Sequence, residues 1–350
     1  MFNIKKDPDW KIFFILYLPL ALITTYIHLR FTCKFGYEWE IFGKPNGHSA
    51  VISGIAFAPT QYRILMPFCA EFIHQIFNLS IPDTYYFLRI ITTFLALSLF
   101  HIYLKKWFDT SKAIIGTLYL VSALPLSYMS WPYPSDMVDV IIFILGFIVI
   151  RDNKDNWLYP LLILGALNRE SIVFLILVYF VYHIGQIHFR KLVLRTVSYI
   201  VTFSIIVFGL YWRYGPLPNF IDNKVHFITY PMYEFNLNMY SNLFKSFSLT
   251  HPALFIFLIF GFFWILAFLN MNKKPEFLVK SVWIIPIYLI VYFFVGSFAE
   301  TRLFLPLFLL LIPSGLFSLF GYQHLEYPHA LHTAHPSTSS SNSLHSGHSG

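Results

Sequence analysis

The strongest constraint in this sequence is the repeated occurrence of apolar runs about as long as a bilayer is thick. Residues 13–29 read FFILYLPLALITTYIHL, without Asp, Glu, Lys or Arg. A helix rises about 1.5 Å per residue, so roughly twenty apolar residues cross the hydrocarbon layer. Comparable windows fall at 11–29, 84–104, 112–130, 136–150, 192–214, 252–270, 278–298 and 302–320. Two shorter pieces, 157–167 and 171–184, flank Asn168-Arg169-Glu170. Backbone polar groups in lipid must be satisfied internally, which requires helices here. The expected fold is therefore all-α: a polytopic transmembrane helix bundle of about ten membrane-embedded helices over residues 1–322.

Composition agrees. Hydrophobic residues make up 57% of the chain and charged residues only 12%, where a soluble domain carries about a quarter charged. The net charge of +7 does not imply nucleic acid, because membrane proteins concentrate Lys and Arg in cytoplasmic loops. Cys33 and Cys69 form no metal motif and no disulfide framework; they read as two free thiols, or as a pair if both face an oxidising side. The first apolar run is long for a signal core and no small-x-small cleavage site follows, so it reads as a retained helix.

The Lys/Arg distribution orients the bundle. With 30–83 wholly on the far side, Lys5, Lys6, Lys11, Lys105, Lys106, Lys112, Arg151, Lys154, Arg190, Lys191, Arg195, Lys273, Lys274 and Lys280 all fall inside. Treating 64–80 as a full span would put Lys105, Lys106 and Lys112 outside. The first arrangement predicts cytoplasmic N- and C-termini, in-plane interfacial helices within 30–83, and a second outer loop at 215–251. One continuous helix over 156–186 would place the basic run around Arg190 on the wrong side. Two short helices forming a hairpin restore the pattern, with Asn168-Arg169-Glu170 at a tip that lines a cavity. The tail 323–350, rich in Ser and His, lacks apolar periodicity and reads as disordered, with the composition of an appended tag.

Polar residues then converge on the outer face: Glu38 and Glu40, Gln61-Tyr62-Arg63, Asp136 and Asp139, Asn168-Arg169-Glu170, and Glu300-Thr301-Arg302. Charge at membrane depth is costly and usually faces a cavity, a partner or a substrate. A carboxylate can take a proton from a hydroxyl nucleophile, and arginine's planar fork holds a phosphate through two bonds. Each group also has a plainer reading. Arg169 and Glu170 could neutralise each other, or pair with Arg63 or Asp139, as buried ions commonly do. Ser135 or Asp136 could simply cap the helix that follows. Glu38 and Glu40 could be solvated loop charges. Arg89 and Glu71 read as interfacial residues with snorkelling stems, and His48 and His74 as polar surface groups.

Tyr62-Arg63-x-Leu-x-Pro, Leu167-Asn168-Arg169-Glu170-Ser171 and Glu300-Thr301-Arg302-x-Phe-x-Pro-Leu, placed on this topology, resemble bacterial multispanning proteins of the GT-C glycosyltransferase superfamily. The likeness covers roughly residues 10–320 in architecture, and the motifs are short. It implies an enzyme that moves a sugar from a polyprenyl-phosphate donor to a glycan, lipid or protein acceptor at the outer face of the bacterial inner membrane. The base would be Glu40, or Glu38 in second place, although many members carry an aspartate there and this segment has none. Arg63, Arg169 and Arg302 would hold the donor phosphate, with Gln61, Tyr62, Asp136, Asp139, Asn168, Glu170 and Glu300 completing the substrate site. The resemblance implies no definite cofactor, and Asp136 and Asp139 could alternatively hold a divalent cation, which some members use.

Two other readings compete. A transporter or flippase of a glycolipid or anionic solute also uses broken helices, but no repeat relates the halves. A polysaccharide polymerase or ligase is chemically close to the first reading. The chain has no P-loop, GxGxxG, HExxH or GxSxG motif.

Overall fold

A computed structural model describes residues 9–34 (31–34 by backbone only), 47–128, 133, 135–218, 225, 232–249 and 251–321. Glu38, Glu40, the side chain of Cys33 and the tail 323–350 lie outside the described residues. Cys69 is a free thiol.

Each apolar window carries helix. α1 runs from Trp10–Ile12 through a π-helical stretch, Phe13–Tyr17, into Leu18–Lys34. The segment between α1 and α4 holds α2 (His48–Ile52) and α3 (Leu65–Phe77), followed by α4 (Ile81–Leu104), α5 (Thr110–Ser127) and α6 (Asp136–Arg151). Then come α7 (Leu158–Asn168), α8 (Phe174–His183), α9 (Phe189–Tyr214) and α10 (Tyr233–Lys245). The last third contains α11 (Phe255–Phe260), α12 (Phe263–Leu266), α13 (Glu276–Ser281), α14 (Ile284–Val295) and α15 (Leu305–Phe320). The described residues are helical throughout apart from turns and one isolated bridge between Pro218 and Val225. Five helical stretches among them are long and apolar enough to cross a membrane: Trp10–Arg30, Ile81–Leu104, Phe189–Tyr214, Glu276–Val295 and Thr301–Phe320.

Local chemistry sets several boundaries. Ser80 accepts from the Asp83 backbone N–H at 3.2 Å and begins α4, with Pro82 in its first turn; Asp109 does the same for α5 through the Lys112 N–H at 3.0 Å. One expectation fails here. The window 252–270 is not one helix: Gly261 takes φ +49 between α11 and α12, and the Tyr119 hydroxyl donates to the freed Phe260 carbonyl at 2.8 Å. Only glycine adopts that backbone without strain, and the tyrosine satisfies a carbonyl that a helix would have paired.

Burial separates helices of similar hydropathy. α15 is buried from Leu305 to Phe317 and forms the centre of the bundle, with α5, α6 and α12 packed on it. α9 is peripheral; Leu194, Val197, Ile205 and Phe208 face outward and Trp212 is 93% exposed. An apolar face this extensive is unfavourable in water and suited to hydrocarbon.

The two ends of α6 differ in chemistry. Around Arg151, Lys106 bonds Asp152 at 2.9 Å, Lys105 bonds Asp9 at 2.8 Å, Arg195 pairs with Asp155, and Lys280 donates to the carbonyls of Tyr182 and Ile184. This end gathers basic residues from four separate stretches, as the charge distribution predicts for one face of a bilayer.

The hairpin forms as expected. Arg169 leaves the helical region at φ −165, ψ 145, a 3₁₀ turn follows at Glu170–Val173, and α8 returns. Asp155, before α7, meets Tyr179 and His183 at the end of α8, so both feet stand at the basic end. The arms close tightly at the tip: a Cβ on Gly165 would sit 2.4 Å from the Ile172 side chain.

Candidate functional site

At the opposite end of α6, four segments far apart in sequence bring their charges together. Asp136, the first residue of α6, is buried and accepts through Oδ1 from two guanidiniums, Arg169 Nη2 at 2.6 Å and Arg302 Nη1 at 3.2 Å. Asp136 does not serve as its own helix's cap; its other oxygen accepts from the Tyr133 backbone N–H at 3.3 Å, and Ser135 makes no side-chain cap. One turn on, Asp139 is also buried. Ser171 Oγ lies 3.1 Å from both its oxygens, and Arg169 Nη1 lies 3.8 Å away. Helical spacing thus places both carboxylates on the side of α6 that the hairpin tip covers.

The remaining partners form the rim. Arg302 Nη2 donates to Glu300 at 2.5 Å, and its guanidinium stands 4.8 Å from the centre of the Tyr133 ring. Arg63 donates to Glu170 at 3.0 and 3.3 Å and approaches the same ring at 6.0 Å. Asn168 donates to the Ser135 carbonyl at 3.3 Å. Arg169 does not pair with its neighbour Glu170. The extended backbone at Arg169 sends the two side chains to different partners, inward to Asp136 and outward to Arg63. Glu170 keeps nearly half its side chain exposed, while Asp136, Asp139, Arg169 and Arg302 are enclosed.

Several guanidinium nitrogens in this enclosure have no acceptor among the described residues: Nε and Nη1 of Arg169, Nε of Arg302, and Nε and Nη2 of Arg89. Arg89, read from sequence as an interfacial snorkeler, is 3% exposed, stacks on Tyr128 at 5.0 Å and donates to the Tyr133 carbonyl at 3.1 Å. Its burial was illegible because one arginine among apolar letters does not show which face it takes.

Two expected ligand residues are used elsewhere. Gln61 is fully buried; its amide accepts from Ala56 N–H at 2.8 Å and donates to the Val51 carbonyl at 3.0 Å. Tyr62 donates to the Gly215 carbonyl at 2.9 Å and stacks on Tyr211 at 4.3 Å. Both brace loop backbone, leaving Arg63 as the residue of its motif that reaches the cluster. His48 is not a surface group either: it is buried and bonds Glu71 and Tyr85. Ser171, named only as the end of its motif, and Tyr133 received no site role from the sequence, since nothing in their spacing marks them.

A divalent cation does not fit Asp136 and Asp139 as they stand, because arginines and a serine occupy their oxygens. Among the described residues no group of three or more His, Cys, Asp or Glu side chains could hold a metal ion. An apolar groove of about 340 Å³ adjoins the cluster, lined by Ile64, Leu65, Phe68, Cys69, Phe72 and Leu167. Ile64 and Leu65 follow Arg63 directly and Leu167 precedes Asn168, while Phe68, Cys69 and Phe72 come from further along α3.

No protein-family model, curated protein or solved structure matches the chain, so the resemblance to GT-C glycosyltransferases rests on its short sequence motifs alone.

Proposed function

We propose that this protein is a membrane glycosyltransferase that takes a sugar from a polyprenyl-phosphate donor and passes it to an acceptor hydroxyl at the outer face of a bacterial inner membrane. One observation carries the reading: among the described residues, several enclosed guanidinium nitrogens of Arg169, Arg302 and Arg89 have no acceptor within hydrogen-bond distance. Buried polar groups are nearly always satisfied, and a ligand rich in anionic and hydroxyl oxygens would complete Arg169, Arg302 and Arg89. Simple structural ion pairing would consume those edges.

The apolar groove beside Arg63 and Asn168 suits the first isoprene units of such a donor, with its phosphate at the arginines. Ten embedded helices with cytoplasmic termini would set the Asp136 end of the bundle outside and the Lys- and Arg-rich end inside. In the displacement, the acceptor oxygen bonds to the anomeric carbon as the carbon–phosphate oxygen bond breaks. Arg169 and Arg302 stabilise the charge growing on the departing phosphate, and fixed donors in a dry site act strongly on such charge. Asp136 holds both guanidiniums in place, Asp139 and Ser171 fix the hairpin tip, and a base takes the acceptor's proton, the role that the resemblance gives to Glu40 or Glu38.

The reading is tested with protein in proteoliposomes and radiolabelled polyprenyl-phosphate sugars. Wild type should retain donor and transfer sugar, and Arg169→Lys, which keeps the charge but loses the fork, should lower turnover about a hundredfold or more. Failure to bind any polyprenyl phosphate would end the proposal.

A further inference from the structure

Three titratable side chains outside the arginine cluster form a line of their own. His48, on α2, places Nε2 3.0 Å from Glu71 Oε2 and Nδ1 3.1 Å from the Tyr85 hydroxyl. A carboxylate can only accept, so the neutral imidazole carries its proton on Nε2 and leaves Nδ1 to accept the Tyr85 O–H. The line is graded in exposure. Tyr85 and His48 are buried, and Glu71 has 29% of its side chain in contact with the outside.

The groups facing this line are few. From α3 come Glu71, Cys69, His74 and Gln75, the last donating to Glu71 at 2.7 Å; from α4 comes Tyr85. One turn further along α4, on the same side as Tyr85, Arg89 donates to the Tyr133 carbonyl at 3.1 Å. The Tyr133 ring carries Arg302, and its hydroxyl lies 2.7 Å from Thr60 Oγ1. The bond from His48 holds the Glu71 carboxyl below its ordinary value. The line therefore runs from an ionised carboxylate at the surface towards the ring on which Arg302 rests.

We propose that Tyr85, His48 and Glu71 form the proton relay of the transfer, in place of Glu40 or Glu38; this rests on the glycosyl-transfer reading. The acceptor hydroxyl gives its proton to the Tyr85 oxygen while the Tyr85 proton moves to His48 Nδ1. The freed acceptor oxygen bonds to the anomeric carbon, and the electron pair of the broken carbon–oxygen bond leaves with the polyprenyl phosphate. The imidazolium stands beside the Glu71 carboxylate and then releases one proton to the outer solution. A buried histidine oriented by a carboxylate and bonded to a hydroxyl is an arrangement suited to this task.

The test compares wild type with Tyr85→Phe, His48→Gln, Glu71→Gln and Glu40→Gln in proteoliposomes, using radiolabelled polyprenyl-phosphate sugars and measuring donor binding, single-turnover rate and pH profile separately. Tyr85→Phe and His48→Gln should each lower turnover about a hundredfold or more with donor binding unchanged. Glu71→Gln removes the charge that stabilises the imidazolium, so the acid limb of the rate profile should move to lower pH. A merely structural clamp would not shift that limb. Wild-type turnover in Tyr85→Phe, which preserves packing even if His48→Gln misfolds, overturns the relay, as does loss of turnover in Glu40→Gln alone. Absence of transfer by wild type from every donor sinks the transfer reading, and the relay with it.

Discussion

Asp136 and Arg169 meet at 2.6 Å although 33 positions separate them, and both are almost wholly enclosed. The contact ties the start of α6 to the tip of the hairpin. Because Arg302 uses the same carboxylate oxygen, Asp136 is the point at which three segments are locked in register.

Removing that carboxylate should cost more than removing an ordinary surface charge. Asp136→Ala leaves Arg169 and Arg302 facing each other without a shared anion, a loss of about 3–5 kcal/mol for a broken buried pair. Denaturant unfolding in detergent measures it; a loss below 1 kcal/mol would show that the two arginines find other acceptors.

Arg169→Ala should abolish transfer while leaving the protein inserted. Arg302 still neutralises Asp136, and Ser171 still bonds Asp139, so the fold retains partners for both carboxylates. Sugar transfer with membrane-fraction recovery as the control decides it; retained turnover would remove the hairpin tip from the chemistry.

Gly165→Ala tests the closure of the hairpin. The added methyl would lie 2.4 Å from Ile172, and overpacking of this kind costs about 1–3 kcal/mol. A drop in unfolding midpoint together with weakened donor retention is expected, because the displaced tip carries Asn168 and Arg169.

The Glu71–His48 pair should make stability depend on pH. The Glu71 carboxyl is held below its ordinary value by the His48 bond, so the unfolded chain binds this proton more readily than the folded one. The contribution is complete above the unfolded carboxylate value of about 4.3 and is lost as pH falls through the lower folded value. Thermal unfolding of wild type and Glu71→Gln from pH 6 to pH 3 should therefore converge towards the acid end.

Sidedness can be read by single-cysteine labelling in a Cys33→Ser, Cys69→Ser background. Glu170→Cys, on an exposed rim position, should react with an impermeant thiol reagent from outside, and Lys154→Cys only after permeabilisation. The reverse pattern would invert the proposed orientation.

The run of apolar windows by itself determined an all-helical chain with membrane-length helices. Leu167-Asn168-Arg169-Glu170 marked the break in the hairpin, because charged letters inside an apolar stretch have few physical outlets. The basic residues also announced a common end of the bundle. Only the tertiary structure decided which helices lie inside. α15 and α9 are both apolar, and protein interior and lipid make nearly the same demand on a side chain, so hydropathy cannot tell the central helix from the outermost. Nor could spacing reveal that Arg169 turns to Asp136 while Glu170 turns to Arg63, that Gln61 serves the loop backbone, or that His48 is buried between Glu71 and Tyr85. Those pairings depend on where separate helices cross, and a hydrogen bond a few ångströms long between residues dozens of positions apart leaves no periodic trace in the chain.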